Sequence, residues 1–130
     1  MKTLLPPGWP RPKGYANGIA ARGRTIYTAG VVGWDETETF VADTLAGQFA
    51  QVLRNILAII AVDGAGPANL VRLTCYVTDR DAYVASLAEI GAAWKEIIGR
   101  HYPAMALVEV SRLVEPQALV EIEATAVVPE

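Results

Sequence analysis

The segment Ala118-Leu119-Val120-Glu121-Ile122-Glu123-Ala124-Thr125-Ala126-Val127 alternates with a period of two. Ala118, Val120, Ile122, Ala124 and Ala126 fall on one face and are all apolar; Leu119, Glu121, Glu123 and Thr125 fall on the other. Successive side chains of a strand point to opposite faces, so this is a strand with one face packed and one face carrying polar groups. The packed face needs a cover, and the chain upstream supplies it as helices.

Working back from that strand, Pro103 opens another, Ala104 to Val110. Its residues Ala104, Ala106, Val108 and Val110 share a face; Met105, Leu107 and Glu109 share the other, which we assign to the acid-bearing side of the sheet. Leu70 to Val77 is a third strand, with Val71, Leu73, Cys75 and Val77 opposite Arg72, Thr74 and Tyr76. Between Thr44 and Val62 the period changes: Leu45, Phe49, Val52, Ile56 and Ile60 follow helical spacing. Asp43 or Thr44 serves as N-cap, and Gly64, Gly66 and Pro67 stop the helix. Asp79 caps a second helix with the stripe Tyr83, Leu87, Ile90, Trp94 and Ile97, ended by Gly99. Nearer the N-terminus, Gly18 to Arg22 and Arg24 to Gly30 flank Gly23 and read as a hairpin. Residues 1–14, rich in Pro and Gly, read as an irregular arm, and Asp35 to Thr39 as a polar loop. The order β-β-α-β-α-β-β predicts a two-layer α+β domain spanning 1–130, a mixed sheet with two helices on one face.

The 130 residues suit one domain. Hydrophobic residues make up 52% and charged residues 19%, an apolar excess that fits a subunit interface. No apolar run approaches the roughly 20 residues of a membrane span, and the Pro-rich start lacks the apolar core of an export signal. The single Cys75 excludes an internal disulfide and a cysteine metal cluster and suits a reducing cytosol, so a cytoplasmic location is expected. A net charge of −3 with no basic stripe argues against nucleic acid as a partner.

The acid-bearing face mixes carboxylates with Leu and Met, which a merely solvated face would not do. A carboxylate that loses water there suits general acid/base work near neutral pH. Glu109, Glu121 and Glu123 also read as interface acids paired with Arg72, Arg112 or a lysine, and pattern alone favours that pairing.

Gly14-Tyr15-Ala16-Asn17-Gly18, Ile26-Tyr27-Thr28-Ala29-Gly30, Gln48 through Asn55-Ile56, Gly64-Ala65-Gly66, Val71-Arg72-Leu73-Thr74, Tyr102-Pro103-Ala104 and Glu121-Ile122-Glu123-Ala124-Thr125-Ala126 follow in that order. Each is weak alone, but the ordered set resembles the RidA (YjgF) family over nearly the whole chain. The resemblance implies a chorismate-mutase-like fold and a homotrimer with a central barrel and three clefts between subunits. It implies hydrolysis of 2-aminoacrylate and other imines or enamines to keto acids and ammonia, without metal or organic cofactor. By position, Glu121 resembles the glutamate that orients the attacking water. Tyr15 resembles the cleft tyrosine, and Thr28, Ala29 and Gly30 resemble the strand end lining the cleft, with Ala104 beside it.

The departures fall on the strand after Pro103. Where the RidA group has an arginine clamping the substrate carboxylate, this chain has Met105, and Leu107 replaces a cysteine or small residue. Losing a buried charge-assisted pair costs about 2–5 kcal/mol, or roughly 30-fold to several-thousand-fold in affinity. Ordinary 2-aminoacrylate hydrolysis is therefore not expected, and the chain resembles subgroups without the arginine, including relatives that deaminate aminomuconate-type intermediates. Arg72, Arg24 and Arg112 are candidate replacement anchors. Met105 and Leu107 line either an apolar substrate pocket or a trimer contact, the latter favoured. Glu123 reads as an interface acid, Cys75 as a buried thiol, His101 as a surface or cleft-rim residue, and Trp34 as roofing the cleft or packing. The alternative function is a non-catalytic trimeric small-molecule binder. A ribonuclease reading has the charge against it.

Overall fold

Helix α1 runs Leu45–Ala61 in the computed structural model, which describes residues 1–130. Thr44 is its cap: Oγ1 accepts the Gly47 N–H at 3.1 Å, satisfying a donor the helix leaves orphaned. At the other end Gly64 adopts φ +81°, and the chain reverses as the Ala65 N–H donates to the Ile60 carbonyl. The apolar stripe of α1 is buried as its spacing predicts, with Phe49, Val52, Leu53, Ile56 and Ile60 at 1% exposure or less. Each such side chain contributes about 1.5–3 kcal/mol of burial.

These side chains rest on a five-stranded sheet. Its strands are β3 (Arg24–Tyr27), β4 (Val31–Val32), β5 (Leu70–Val77), β6 (Ala104–Glu109) and β7 (Val120–Val128). The order is β3-β7-β5-β6, with β4 also on β7. β7 is antiparallel to β3, β4 and β5, whereas β5 and β6 are parallel. A parallel pair needs a crossover, supplied by α2 (Arg80–Ala85) and α3 (Leu87–Ile97). Ala118, Val120, Ile122, Ala124 and Ala126 are all buried, as the alternation requires. Val120, Ile122, Ala124 and Ala126 join Leu70, Leu73, Cys75 and Val77 of β5 in one core with α1, Ile90 and Trp94. The architecture is the expected two-layer α+β domain with a mixed sheet.

Four local expectations need correction. The hairpin across Gly23 does not form. β2 (Gly18–Ala20) pairs with β1 (Lys2–Leu4) in a separate ribbon, while β3 pairs with β7. Gly23 is needed for another reason: a Cβ there would overlap the carbonyl of Val128 at the end of β7. The first residues are accordingly not wholly irregular, since Lys2–Leu4 is a strand. The second helix is two. Ser86 interrupts it with φ −101° and ψ 7°, its hydroxyl donating back to the Ala82 carbonyl at 2.7 Å.

The fourth correction moves residues from one face of the sheet to the other. Met105 pairs with Leu73 and Leu107 with Cys75, and partners in a ladder share a face, so Met105 and Leu107 lie on the helix side. Ala104, Ala106 and Val108 lie with Arg72, Thr74 and Tyr76 on the open side. Glu109 pairs with Val77 and turns to the helix layer, where its Oε1 accepts the Arg80 N–H at 2.9 Å at the start of α2. Both faces of β6 are apolar at residues 104–108 and the strand is at the sheet edge. Alternation alone therefore had no contrast to orient it.

Candidate active site

The candidate residues divide into two groups on opposite faces of the sheet. On the open face, Glu121 pairs across β7–β5 with Tyr76 and across β7–β4 with Val32. Its carboxylate rests on Gly30, where a Cβ would overlap Oε2. Glycine at this position is what lets the carboxylate settle against the backbone. Thr28 fixes the strand end that carries Ala29 and Gly30. Its N–H donates to the Ala124 carbonyl at 2.9 Å, its Oγ1 accepts the Ala124 N–H at 3.0 Å, and its hydroxyl donates to the Ala29 carbonyl at 2.8 Å. The Thr28 hydroxyl has thus spent its one donor on backbone.

Glu123, two residues on, is engaged differently. It accepts the Tyr76 hydroxyl proton at 2.8 Å, and this bond, with burial and the charge of Glu121 adding to it, raises the Tyr76 pKa above its ordinary value. Neither Glu121 nor Glu123 has a cationic partner within the chain: the ion pairs are Arg24–Asp63 at 2.8 Å and Arg80–Asp81 at 3.0 Å. The pairing with Arg72 or Arg112 suggested by the pattern is not made here.

On the helix face, Tyr15, Met105 and Leu107 line a cavity of about 560 Å³. It opens between α3 and β6, because α3 packs chiefly against α1. Ala16 holds Tyr15 at its mouth by donating its N–H to the Pro103 carbonyl at 3.0 Å and bridging Ala104. The wall opposite β6 is aromatic. Trp94 and Tyr102 stack with centroids 6.0 Å apart and planes 7° apart, and Tyr83 reaches from α2. Burial, with a smaller contribution from Cys75, raises the Tyr83 pKa, so it presents a neutral phenol. Lys13 is the only charged residue lining the cavity.

The three arginines that were candidate anchors all lie away from this cavity. Arg24 is committed to Asp63, Arg72 is exposed on the open face, and Arg112 borders a separate surface cavity with Ser111 and Pro116. His101 acts structurally: its Nε2 lies 2.6 Å from the Leu70 carbonyl and its own carbonyl accepts the Trp94 indole N–H at 3.1 Å. Trp34 packs on Phe40, centroids 5.7 Å apart, across its own loop. Sequence reasoning missed Lys13, Tyr83, Leu87, Gly91 and Tyr102 as cavity residues. Tyr83, Leu87 and Trp94 belong to a stripe that reads as core, and only a glycine in mid-helix, Gly91, signals that the stripe is not filled.

The family described as endoribonuclease L-PSP matches residues 10–128. A RutC family protein of Synechocystis is 35% identical over 99% of this chain and 98% of its own. A 2-iminobutanoate/2-iminopropanoate deaminase of Salmonella typhimurium is 30% identical over 87% of this chain and 86% of its own. A crystal structure of a Rid-family protein of unknown function from Yersinia pestis superposes with a TM-score of 0.85 at 32% identity, covering 98% of both chains. With the ordered motifs and the two-layer fold, these matches show that the chain belongs to the Rid (RidA/YjgF) family.

Proposed function

We propose that this protein hydrolyses imines or enamines of amino-acid-derived acids to a keto product and ammonia. The observation that carries the reading is the Glu121 carboxylate, seated on Gly30 and free of any cation in its own chain. A carboxylate so placed takes a proton from water as the oxygen attacks the C=N carbon. With the imine nitrogen entering protonated, the tetrahedral carbon holds one OH and one NH2; the acid returns its proton to nitrogen, and the carboxylate takes the hydroxyl proton as the C–N bond breaks, so ammonia leaves and C=O remains. The relative named as an iminobutanoate/iminopropanoate deaminase supports this class of chemistry.

The cavity behind Met105 lies on the opposite face of the same sheet from Glu121, so one chain alone does not bring them together. We infer that the site is completed in a homotrimer, where the Gly30–Glu121 edge of one copy closes on the Tyr15–Met105–Leu107 cavity of the next. The 52% hydrophobic content and exposed Tyr27 and Val108 support burial between copies. The chain then falls in a subgroup whose substrate carboxylate is not held by an arginine after Pro103-Ala104, and 2-aminoacrylate is not its preferred substrate.

The test is a coupled assay in which an amino-acid oxidase generates imines from several amino acids. Wild type, Glu121→Gln and Met105→Arg are compared for release of keto acid. Acceleration by wild type that Glu121→Gln loses by roughly 100-fold or more establishes the deaminase. Silence of all three variants on every imine sinks it and leaves a ligand-binding trimer, the reading that Met105 favours.

A further inference from the structure

Gly91 sits in the interior of α3, where neither backbone geometry nor a close neighbour calls for a glycine. A Cβ built there meets no atom within 4 Å. Glycine weakens a helix, so what this one contributes is empty space. That space is part of the cavity of about 560 Å³ beside Met105, a volume that a two- or three-carbon acid leaves mostly unfilled. Around it stand Trp94, Tyr102, Tyr83 and Leu107, with the Trp94–Tyr102 stack as a flat wall and Lys13 as the one charge. Flat aromatic walls reward a flat apolar group by offset stacking or edge contact. A single ammonium beside an apolar cavity fits a single carboxylate.

We propose that this cavity binds an aryl-alkyl carboxylate, its ring entering over Gly91 and its carboxylate meeting Lys13. Gly91 is then the residue that sets the depth of the pocket. Its identification as the side-chain pocket of the imine substrate rests on the deaminase reading above; the binding itself does not.

Isothermal titration calorimetry on the full chain tests it with 3-phenylpropanoate, propanoate and 3-phenylpropanamide, none of which carries an imine. 3-Phenylpropanoate is expected to bind at least roughly tenfold tighter than propanoate. Gly91→Leu, which fills open space inside a helix that favours leucine over glycine, is expected to remove that advantage. Lys13→Ala is expected to weaken the acid and spare the amide. Equal affinity for the two acids, an unchanged affinity in Gly91→Leu, or equal losses of acid and amide in Lys13→Ala overturns the proposal. Selective aryl binding without turnover of any imine upholds the pocket and removes only the deaminase reading. Hydrolysis of small imines by a protein that does not prefer the aryl acid removes only the pocket.

Discussion

At Gly30, the absence of a single carbon atom determines where a carboxylate rests. Gly30→Ala brings a methyl group into overlap with the end of the Glu121 side chain, which is flexible and moves aside. Stability is expected to change by less than about 1 kcal/mol, while imine hydrolysis falls nearly as far as in Glu121→Gln; a large drop in the urea midpoint would count against this account. Cys75 offers a pH test. Burial pushes its thiol from 9.0 up to about 12. An unfolded chain gives up that proton as pH passes 9.0, whereas the folded chain holds it toward 12, so the stability that the packed thiol contributes is expected to be pH-independent below that window and to fall across it. Denaturation midpoints of wild type and Cys75→Ala, compared at several alkaline pH values, should converge as pH rises. Cys75 was legible as a buried thiol because Val71, Leu73 and Val77 alternate with it. Met105 was not legible, because Ala104, Ala106 and Val108 are as apolar as Met105 and Leu107, and only the pairing with Leu73 reveals the face.

Helix α1 does more than cover the sheet. Gln48 is 1% exposed, and every polar atom of its amide is used: Nε2 donates to the Ala42 and Gln117 carbonyls at 3.1 and 3.0 Å, and Oε1 accepts the Leu119 N–H at 2.8 Å. Seven residues on, on the same helical face, Asn55 Nδ2 donates to the Val32 and Trp34 carbonyls at 3.1 and 2.7 Å. One helix thus pins the entry to β7 and the loop after β4, the two segments that flank Glu121. Gln48→Met keeps the length and drops the hydrogen bonds, leaving part-buried backbone groups without their partner at a cost of about 1–3 kcal/mol, read as a lowered urea midpoint. Retention of wild-type stability would mean that water replaces the amide. The helix was legible from Leu45, Phe49, Val52, Ile56 and Ile60, and so was its cap. The role of Gln48 was not, because a polar residue beside an apolar stripe ordinarily faces water. The hairpin at Gly23 misled because a turn signal names no partner: β1 and β7, far away in the chain, claimed the two arms.

For the whole molecule, the open face of the sheet sets the expectation. It carries Arg72, Thr74, Tyr76, Ala106, Glu121 and Glu123 with no layer over it. In the proposed trimer the neighbouring copies cover this face, and light scattering is expected to return three times the mass of one chain. Ala106→Arg, in the middle of edge strand β6, introduces a charge into that face and is expected to yield folded monomers without imine hydrolysis; an unchanged trimer would place the interface elsewhere. The sequence could not reveal this arrangement, since alternation reports which residues share a face but not what a second copy presents to it. The separation of Glu121 from the Met105 cavity by the thickness of a sheet also has a genetic corollary. A subunit spoiled only at Glu121 still offers an intact cavity, and one spoiled only at Leu107 still offers an intact acid. Co-expressed in equal amounts, a Glu121→Gln allele and a Leu107→Arg allele, each silent alone, would assemble mixed rings in which about one cleft in four draws both halves from sound donors, so two defective genes would complement each other.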